Sequence, residues 1–364
     1  MQPFPKQPAT RSTIRLRTPA DLIAIVPYLI GYRLDQGLVL VALKDDIVTA
    51  AIRYDLPEQP PDTNELVRQG VHLLNRNTSP RVALIGYGPG ERVTPSMNAF
   101  SQALTAQGID IIDMIRCENG RYWSYLCSNP ACCPPDGTPY DADSNHAAAH
   151  AVLAGLVALP DQETLRQTLL PVQGQDRAIV TAATAQARAR AEAKLTAPGL
   201  DDPYWFAEGL QHAKKCYEHT QTGRLIPAEE LAWLGVLLTG VLVRDLAYTL
   251  HRQYGTDVAP RLWTEVTHRI DPAYAAAPAS ILAFLALHRG QGTLARIAAE
   301  RALQAQPNYP FAHLILATLP SGIQPSESDI ELDDLAKTIT KQAAETPELA
   351  RPVLPAHPAD DRQP

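Results

Sequence analysis

The sequence has no apolar run long enough to span a membrane, no surplus of basic residues and none of the common short catalytic motifs. Each shortage excludes something. A membrane helix needs about 20 consecutive apolar residues. The most apolar stretch, Leu231 to Leu242, is shorter, contains glycines and runs into Arg244 and Asp245, so it reads as a buried helix of a soluble protein. The opening MQPFPKQPATRSTIRLRTP lacks the apolar core of an export signal, which points to a cytoplasmic chain. Net charge is −7, from 32 Lys and Arg against 39 Asp and Glu. The one basic stretch, Arg11 to Arg17, is short. Neither a nucleic-acid nor a membrane partner is therefore expected. There is no G-x-S-x-G elbow, no H-E-x-x-H pair and no EF-hand loop. The run Gly86-Tyr87-Gly88-Pro89-Gly90 lacks both the G-x-G-x-x-G spacing and the lysine of a phosphate-binding loop, and Pro89 has no N–H to offer. A turn is the expected structure there.

What is present is ordinary globular material in two styles. A chain of 364 residues suggests two domains and can bury cores without disulfides. The first style is mixed. Thr18-Pro19-Ala20-Asp21 reads as a helix start, with a stop expected near Pro27. GLVLVALKDDIVTAAIRYDLP reads as a hairpin of strands 37–43 and 47–54. Helical spacing over 62–75, an apolar strand at 81–87, a helix at 94–107 and a strand at 109–116 follow, and the last strands suit a parallel pair. Glu118-Asn119-Gly120 turns the chain into a return strand, 121–126, where the sheet is expected to end. Helices are expected at 144–159 and after Asp161.

Past residue 172 the pattern becomes helical, with segments near 204–220, 227–252, 259–268, 276–289, 291–305 and 309–319. The last pair has the alanine spacing of a helical-hairpin repeat. The predicted fold is therefore an α/β domain, a mixed sheet with packed helices, followed by an all-α, helical-hairpin-like domain. Its expected divisions are a flexible arm (1–12), the α/β domain (13–171), an alanine-rich helical connector (172–198), the all-α domain (199–335) and a mostly disordered tail (336–364).

Four of the five cysteines, Cys117, Cys127, Cys132 and Cys133, lie close together, with Cys216 apart. The odd count, without an export signal, argues against a disulfide scaffold. Thiolates near histidines suit zinc. Cys127, Cys132 and Cys133 with His146 and His150, four apart on one predicted helix face, permit a tetrahedral site. The competing readings are a set of inert, buried thiols, since cysteine packs as a small hydrophobe, and a redox-active or nucleophilic cysteine. No Cys-x2-Cys redox motif opens a helix. A second candidate is a polar-aromatic pocket: strand alternation puts Arg121, Trp123 and Tyr125 on one face and Arg53 and Asp55 on another, so adjoining hairpins would let these groups line a ligand site. A surface ladder with arginine stacked on tryptophan explains the same residues. Asp141, Asp143 and His146 read as caps and solvated turns.

The segment GRYWSYLCSNPACCPPDGTPY, residues 120–140, resembles the hallmark of the DUF4192 family, a domain of unknown function in actinobacterial proteins. The likeness lies in Gly120-Arg121-Tyr122-Trp123-Ser124, then Cys127, Cys132, Cys133 and Pro134, then Asp136-Gly137-Thr138-Pro139. Pro27 to Gly31, Arg53 to Pro57, Val243-Arg244-Asp245 and Trp263 are similar to family positions too, so the resemblance runs over about 14–325. Gly37 stands where members often carry serine, and Asp136 where they often carry glutamate. The resemblance implies no reaction. The function expected is that of a soluble ligand-binding or protein-interaction protein, its partner a protein or small molecule. The alternatives are an enzyme with a cleft near Arg53, Trp123 and the cysteine-rich loop, or a protein with a structural zinc there.

Overall fold

A computed structural model describes residues 16–44, 47–56, 67–72, 74, 81–154, 156–197, 203–254, 257–319 and 332–355. The chain forms two compact units, Met1–Gln162 and Glu163–Pro364. The division falls earlier than the expected boundary at 171. The expected arm, 1–12, lies outside the described residues.

The first unit is built on a six-stranded mixed sheet in the order β2-β1-β3-β4-β5-β6. Its elements are α1 (Pro19–Ile30), β1 (Gly37–Lys44), β2 (Ile47–Tyr54), a helix α2 over 67–72, β3 (Arg81–Tyr87), α3 (Gly90–Ala106), β4 (Asp110–Glu118), β5 (Arg121–Ser124), β6 (Thr138–Pro139) and α4 (His146–Leu153). β1 pairs antiparallel with β2 and β3, and β3 pairs parallel with β4. One face of the sheet carries Leu38, Leu40, Val82, Leu84 and Met114 against Met97, Phe100 and Leu104 of α3. At about 1.5–3 kcal/mol per large apolar side chain taken out of water, this layer dominates the unit's stability.

The expected start of α1 holds. The Thr18 hydroxyl accepts from the Asp21 N–H at 3.2 Å, while the Asp21 carboxylate accepts from the N–H groups of Thr18 and Arg17 at 3.1 and 2.8 Å. Its expected stop does not: Pro27 lies inside the helix, which ends at Gly31, whose N–H donates to the Pro27 carbonyl. Proline lacks a donor but its carbonyl still accepts, and packing of Leu22 to Val26 carries the helix through. The sheet also continues beyond Leu126. β6 pairs with β5, Arg121 opposite Pro139 and Tyr122 opposite Thr138. A proline is tolerated there because the strand is at the sheet edge.

The second unit is helical, and among the described residues no strand follows β6. After α5 (Gln162–Gln167) come α6 (Gly174–Thr196), α7 (Pro203–Gln221), α8 (Ala228–Leu237), α9 (Val241–Thr249), α10 (His251–Tyr254), α11 (Val258–Arg269), α12 (Ala276–His288), α13 (Gly292–Ala305), α14 (Pro310–Thr318) and α15 (Leu332–Glu345). α6 is not a detached connector. Val180, Ala183, Ala187 and Ala191 are buried at helical spacing, and the helix packs on α8; small residues make a thin apolar face that permits close approach. The predicted single helix over 227–252 is broken, with α8 and α9 bent by 115°. A Cβ at Gly240 would lie 2.3 Å from the Ala350 carbonyl oxygen, so only glycine admits the C-terminal segment there. That segment corrects the expected disordered tail: Ile339, Ala343 and Ala350 are buried, in α15 and a 3-10 turn over Pro347–Ala350. Residues 356–364 lie outside the described ones. Among the described residues no single helix is long and apolar enough to cross a membrane; the bent pair α8–α9 passes by composition together, but most of its apolar residues are buried, Val241 being exposed.

Candidate metal centre

The site grows from the β4–β5 hairpin. Asn119 and Gly120 both have positive φ, 49° and 71°, the backbone of a two-residue turn that matches strand twist. The register then follows by counting outward: Glu118 opposite Arg121, Cys117 opposite Tyr122, Arg116 opposite Trp123. Partners share a face, so Arg116 stacks on Trp123, its guanidinium carbon 3.8 Å from the ring centroid. Arg116 is also paired with Glu118.

The cysteine-rich loop is tied to this hairpin at several points. Trp123 Nε1 donates to the Pro135 carbonyl at 2.8 Å, and Arg121 Nη1 donates to the Gly137 carbonyl at 2.8 Å. Gly137 has φ 78°, and a Cβ there would sit 2.6 Å from the Trp123 ring, so both backbone and space require glycine. The Ser124 hydroxyl accepts from the N–H groups of Leu126 and Cys127 at 3.3 and 3.2 Å. The Asn129 side chain accepts from the Ala131 N–H at 3.0 Å, and its carbonyl from the N–H groups of Cys132 and Cys133 at 3.0 and 2.8 Å. This turn resolves the problem of adjacent Cys132 and Cys133 pointing apart in an extended chain.

As a result the sulfurs of Cys127, Cys132 and Cys133 all lie within 4.8 Å of one another. Cys132 is exposed, and the other two are partly so. The Cys133 thiol donates toward Cys127. That hydrogen bond holds the Cys127 thiol below its usual range and pushes the Cys133 thiol up to about 12. A metal ion that binds here displaces the thiol protons. The three cysteines form a candidate metal-binding site.

The predicted histidine ligands do not join it. His146 faces Asp21, with Nδ1 3.4 Å from the carboxylate, and the His146 and His150 rings lie 6.4 Å apart, edge to face. Asp21 is itself 2% exposed. Burial raises its pKa, but hydrogen bonds from Arg17, Asn145 and Thr18 outweigh this and hold the carboxyl below its ordinary value. The helix bearing both histidines is therefore anchored to α1. Cys117 is also separate: it is buried, its thiol pushed up by burial, and it hydrogen-bonds Tyr140. Cys216 is buried in the helical unit.

The predicted pocket of Arg53, Asp55, Arg121, Trp123 and Tyr125 is not assembled. β2 and β5 are separated in the sheet by β1, β3 and β4. Arg53 is paired with its neighbour Asp55, and the Tyr125 hydroxyl lies 2.7 Å from that of Thr94 on α3. The glycine run is a packing turn: a Cβ on Gly86 would strike Val93, and the Gly88 N–H is used by the Cys117 carbonyl at 2.9 Å. Asp141 caps, accepting from the Asp143 and Ser144 N–H groups, and Asp143 pairs with Arg33. Arg116, Tyr122, Ser124 and Asn129 were missed as site residues; for Arg116 and Tyr122, counting out from the Asn119-Gly120 turn was the available signal.

The DUF4192 model, described as a domain of unknown function, matches residues 19–326. The chain belongs to the DUF4192 family. The DUF4192 match takes in the sheet, all three clustered cysteines and the helices through α14. No curated protein and no solved structure matches the chain, so DUF4192 membership brings no ligand or reaction with it.

Proposed function

We propose that the first unit binds one thiophilic divalent ion, zinc first, through Cys127, Cys132 and Cys133, and that the ion cross-links the first half of the cysteine-rich loop. The observation carrying this reading is the mutual approach of the three sulfurs within 4.8 Å. Thiolates are the donors zinc prefers among hard and soft ligands. Inert packing fits the same residues less well, because core thiols are buried and here Cys132 is exposed. The enzymatic cleft finds less support, since its arginine and tryptophan belong to strands separated by three others.

Elemental analysis of untagged protein, purified under reducing conditions without chelator, tests the proposal. About one zinc per chain is expected, with zinc–sulfur distances of about 2.3 Å by X-ray absorption. Cys127→Ser should abolish stoichiometric binding while Cys216→Ser leaves it intact. Protein that carries no metal and takes up none when zinc is added under reducing conditions would overturn the reading.

A further inference from the structure

Three sulfurs gathered at the surface can do more than hold an ion. Cys127, Cys132 and Cys133 are free thiols, and their sulfurs lie within 4.8 Å of one another. A disulfide brings two sulfurs to about 2.05 Å, so the remaining approach needs side-chain rotation and a small shift of the chain. The chain between them can give it, because Ser128, Asn129, Pro130 and Ala131 are all exposed. The cysteines themselves stay near one another, Cys127 held by the Ser124 hydroxyl and Cys132 and Cys133 by the Asn129 carbonyl. A reaction between groups held this close has the advantage of an intramolecular step. Cys117 and Cys216 are buried and lie outside the cluster.

Geometry also selects the pair. Cys132 and Cys133 are neighbours in the chain, and consecutive Cα atoms stand about 3.8 Å apart, short of the roughly 4.4–6.8 Å that an unstrained disulfide spans. Cys127 is therefore the partner of whichever of the two is oxidised. Cys132 is the exposed one, so a small oxidant in water meets it first.

We infer that Cys127 and Cys132 form an oxidation site, at which hydrogen peroxide closes a disulfide and so ejects the ion. In the metal-free chain the Cys132 sulfur attacks one peroxide oxygen. An S–O bond forms, the O–O bond breaks, and the departing hydroxide carries the thiol proton away as water. The Cys127 sulfur then attacks the Cys132 sulfur. An S–S bond forms, the S–O bond breaks, and the hydroxyl leaves with the Cys127 proton as a second water. The two thiols lose two electrons and the peroxide gains them. With zinc bound, zinc leaves in place of the two protons, accompanied by two hydroxides. Cys133 then remains as a single sulfur donor, too few to keep the ion. A thiol reductant reverses the change by exchange. The ejection rests on the metal-binding reading above; the disulfide does not.

Untagged full-length protein, reduced and stripped of metal, is treated with a stoichiometric amount of hydrogen peroxide and mapped by mass spectrometry of its peptides without reduction. The expected result is the loss of two hydrogens in mass and of two of the five free thiols, with Cys127 linked to Cys132 and the link removed by dithiothreitol. Cys216→Ser should oxidise as the unsubstituted chain does, and Cys127→Ser should form no disulfide within the loop. A second sample is loaded with zinc first, and a chromogenic chelator reads the loss of zinc on oxidation. Linkage of Cys127 to Cys132 with that loss supports the inference. Zinc uptake without this linkage, linkage of Cys132 to Cys133, sulfinic acid in place of a disulfide, or zinc retained by the oxidised chain overturns it and leaves the metal reading standing. The linkage in a chain that takes up no zinc supports the oxidation site and overturns the metal reading alone.

Discussion

Cys133 and Cys216 are the same residue type in opposite circumstances. Cys216 sits on α7 with no exposed surface, beside Tyr217, whose hydroxyl donates to the Ala247 carbonyl at 3.2 Å and accepts from Trp263 Nε1 at 3.0 Å. Burial pushes its thiol far up, so it stays protonated and acts as a small apolar group. Cys133 lies in a loop held to a sheet edge, in contact with two other sulfurs. Its thiol is raised mainly by the hydrogen bond it gives to Cys127 rather than by burial. The helical unit uses sulfur as filling, and the α/β unit displays it as a donor set. The difference is one of context: a helix interior has no place for a thiolate, while a turn rich in backbone N–H groups at a wet edge does.

The sharpest way to break this comparison is thiol labelling of the native, metal-free protein. Cys127 and Cys132 should react at least roughly 100-fold faster than Cys117 and Cys216, which need local unfolding to be reached, with Cys133, its thiol raised, slower than its two neighbours. Zinc should protect the fast group. Equal rates across all five would dissolve the distinction between the two regions.

Substitutions sharpen it from both sides. Trp123→Ala removes the ring under Arg116 and the hydrogen bond to Pro135, and should cost about 2–3 kcal/mol in urea unfolding of the first unit. It should also weaken zinc affinity, because the loop loses its anchor. Cys216→Ser places a hydroxyl in an apolar interior and should cost about 2 kcal/mol in the helical unit, without change in metal content. Asp21→Ala removes half of the capping box and the partner of His146, with an expected loss of about 1–2 kcal/mol. If His150 or His146 were ligands after all, that variant would also lower zinc occupancy; none of that loss is expected.

The smallest effect is one of pH. In the helical unit His288 packs against Phe284 and Tyr248 with its Nε2 buried and without a hydrogen-bond partner. Burial first, and the neighbouring His251 second, push its pKa down from 6.5 to about 4. The unfolded chain then binds the proton before the folded one does. The contribution of the neutral imidazole is present above about pH 6.5 and is lost as pH falls toward about 4. Partial solvent access limits it to on the order of 1 kcal/mol. His288→Gln should flatten the dependence of the helical unit's melting temperature on pH over that interval; an unchanged slope would assign the acid sensitivity elsewhere.

Some of this was legible before any coordinates. Local physics determined the capping box at Thr18 and Asp21, the β1–β2 hairpin and the change to helices, because each depends on residues a few positions apart, and the strand–helix–strand succession through α3 determined the parallel β3–β4 pair. Residue chemistry likewise nominated Cys127, Cys132 and Cys133. Tertiary structure alone decided which nominees meet. The order β2-β1-β3-β4-β5-β6 set Arg53 apart from Trp123, since strand neighbours are chosen by whole faces of apolar area and not by local pattern. Buried Asp21 drew His146 to α1 and away from the sulfurs. The Asn129 turn gathered Cys132 and Cys133 where an extended chain would have parted them. In each case the deciding contact lies between side chains or strands whose adjacency no periodicity encodes, because it exists only once burial of one element has fixed the position of another.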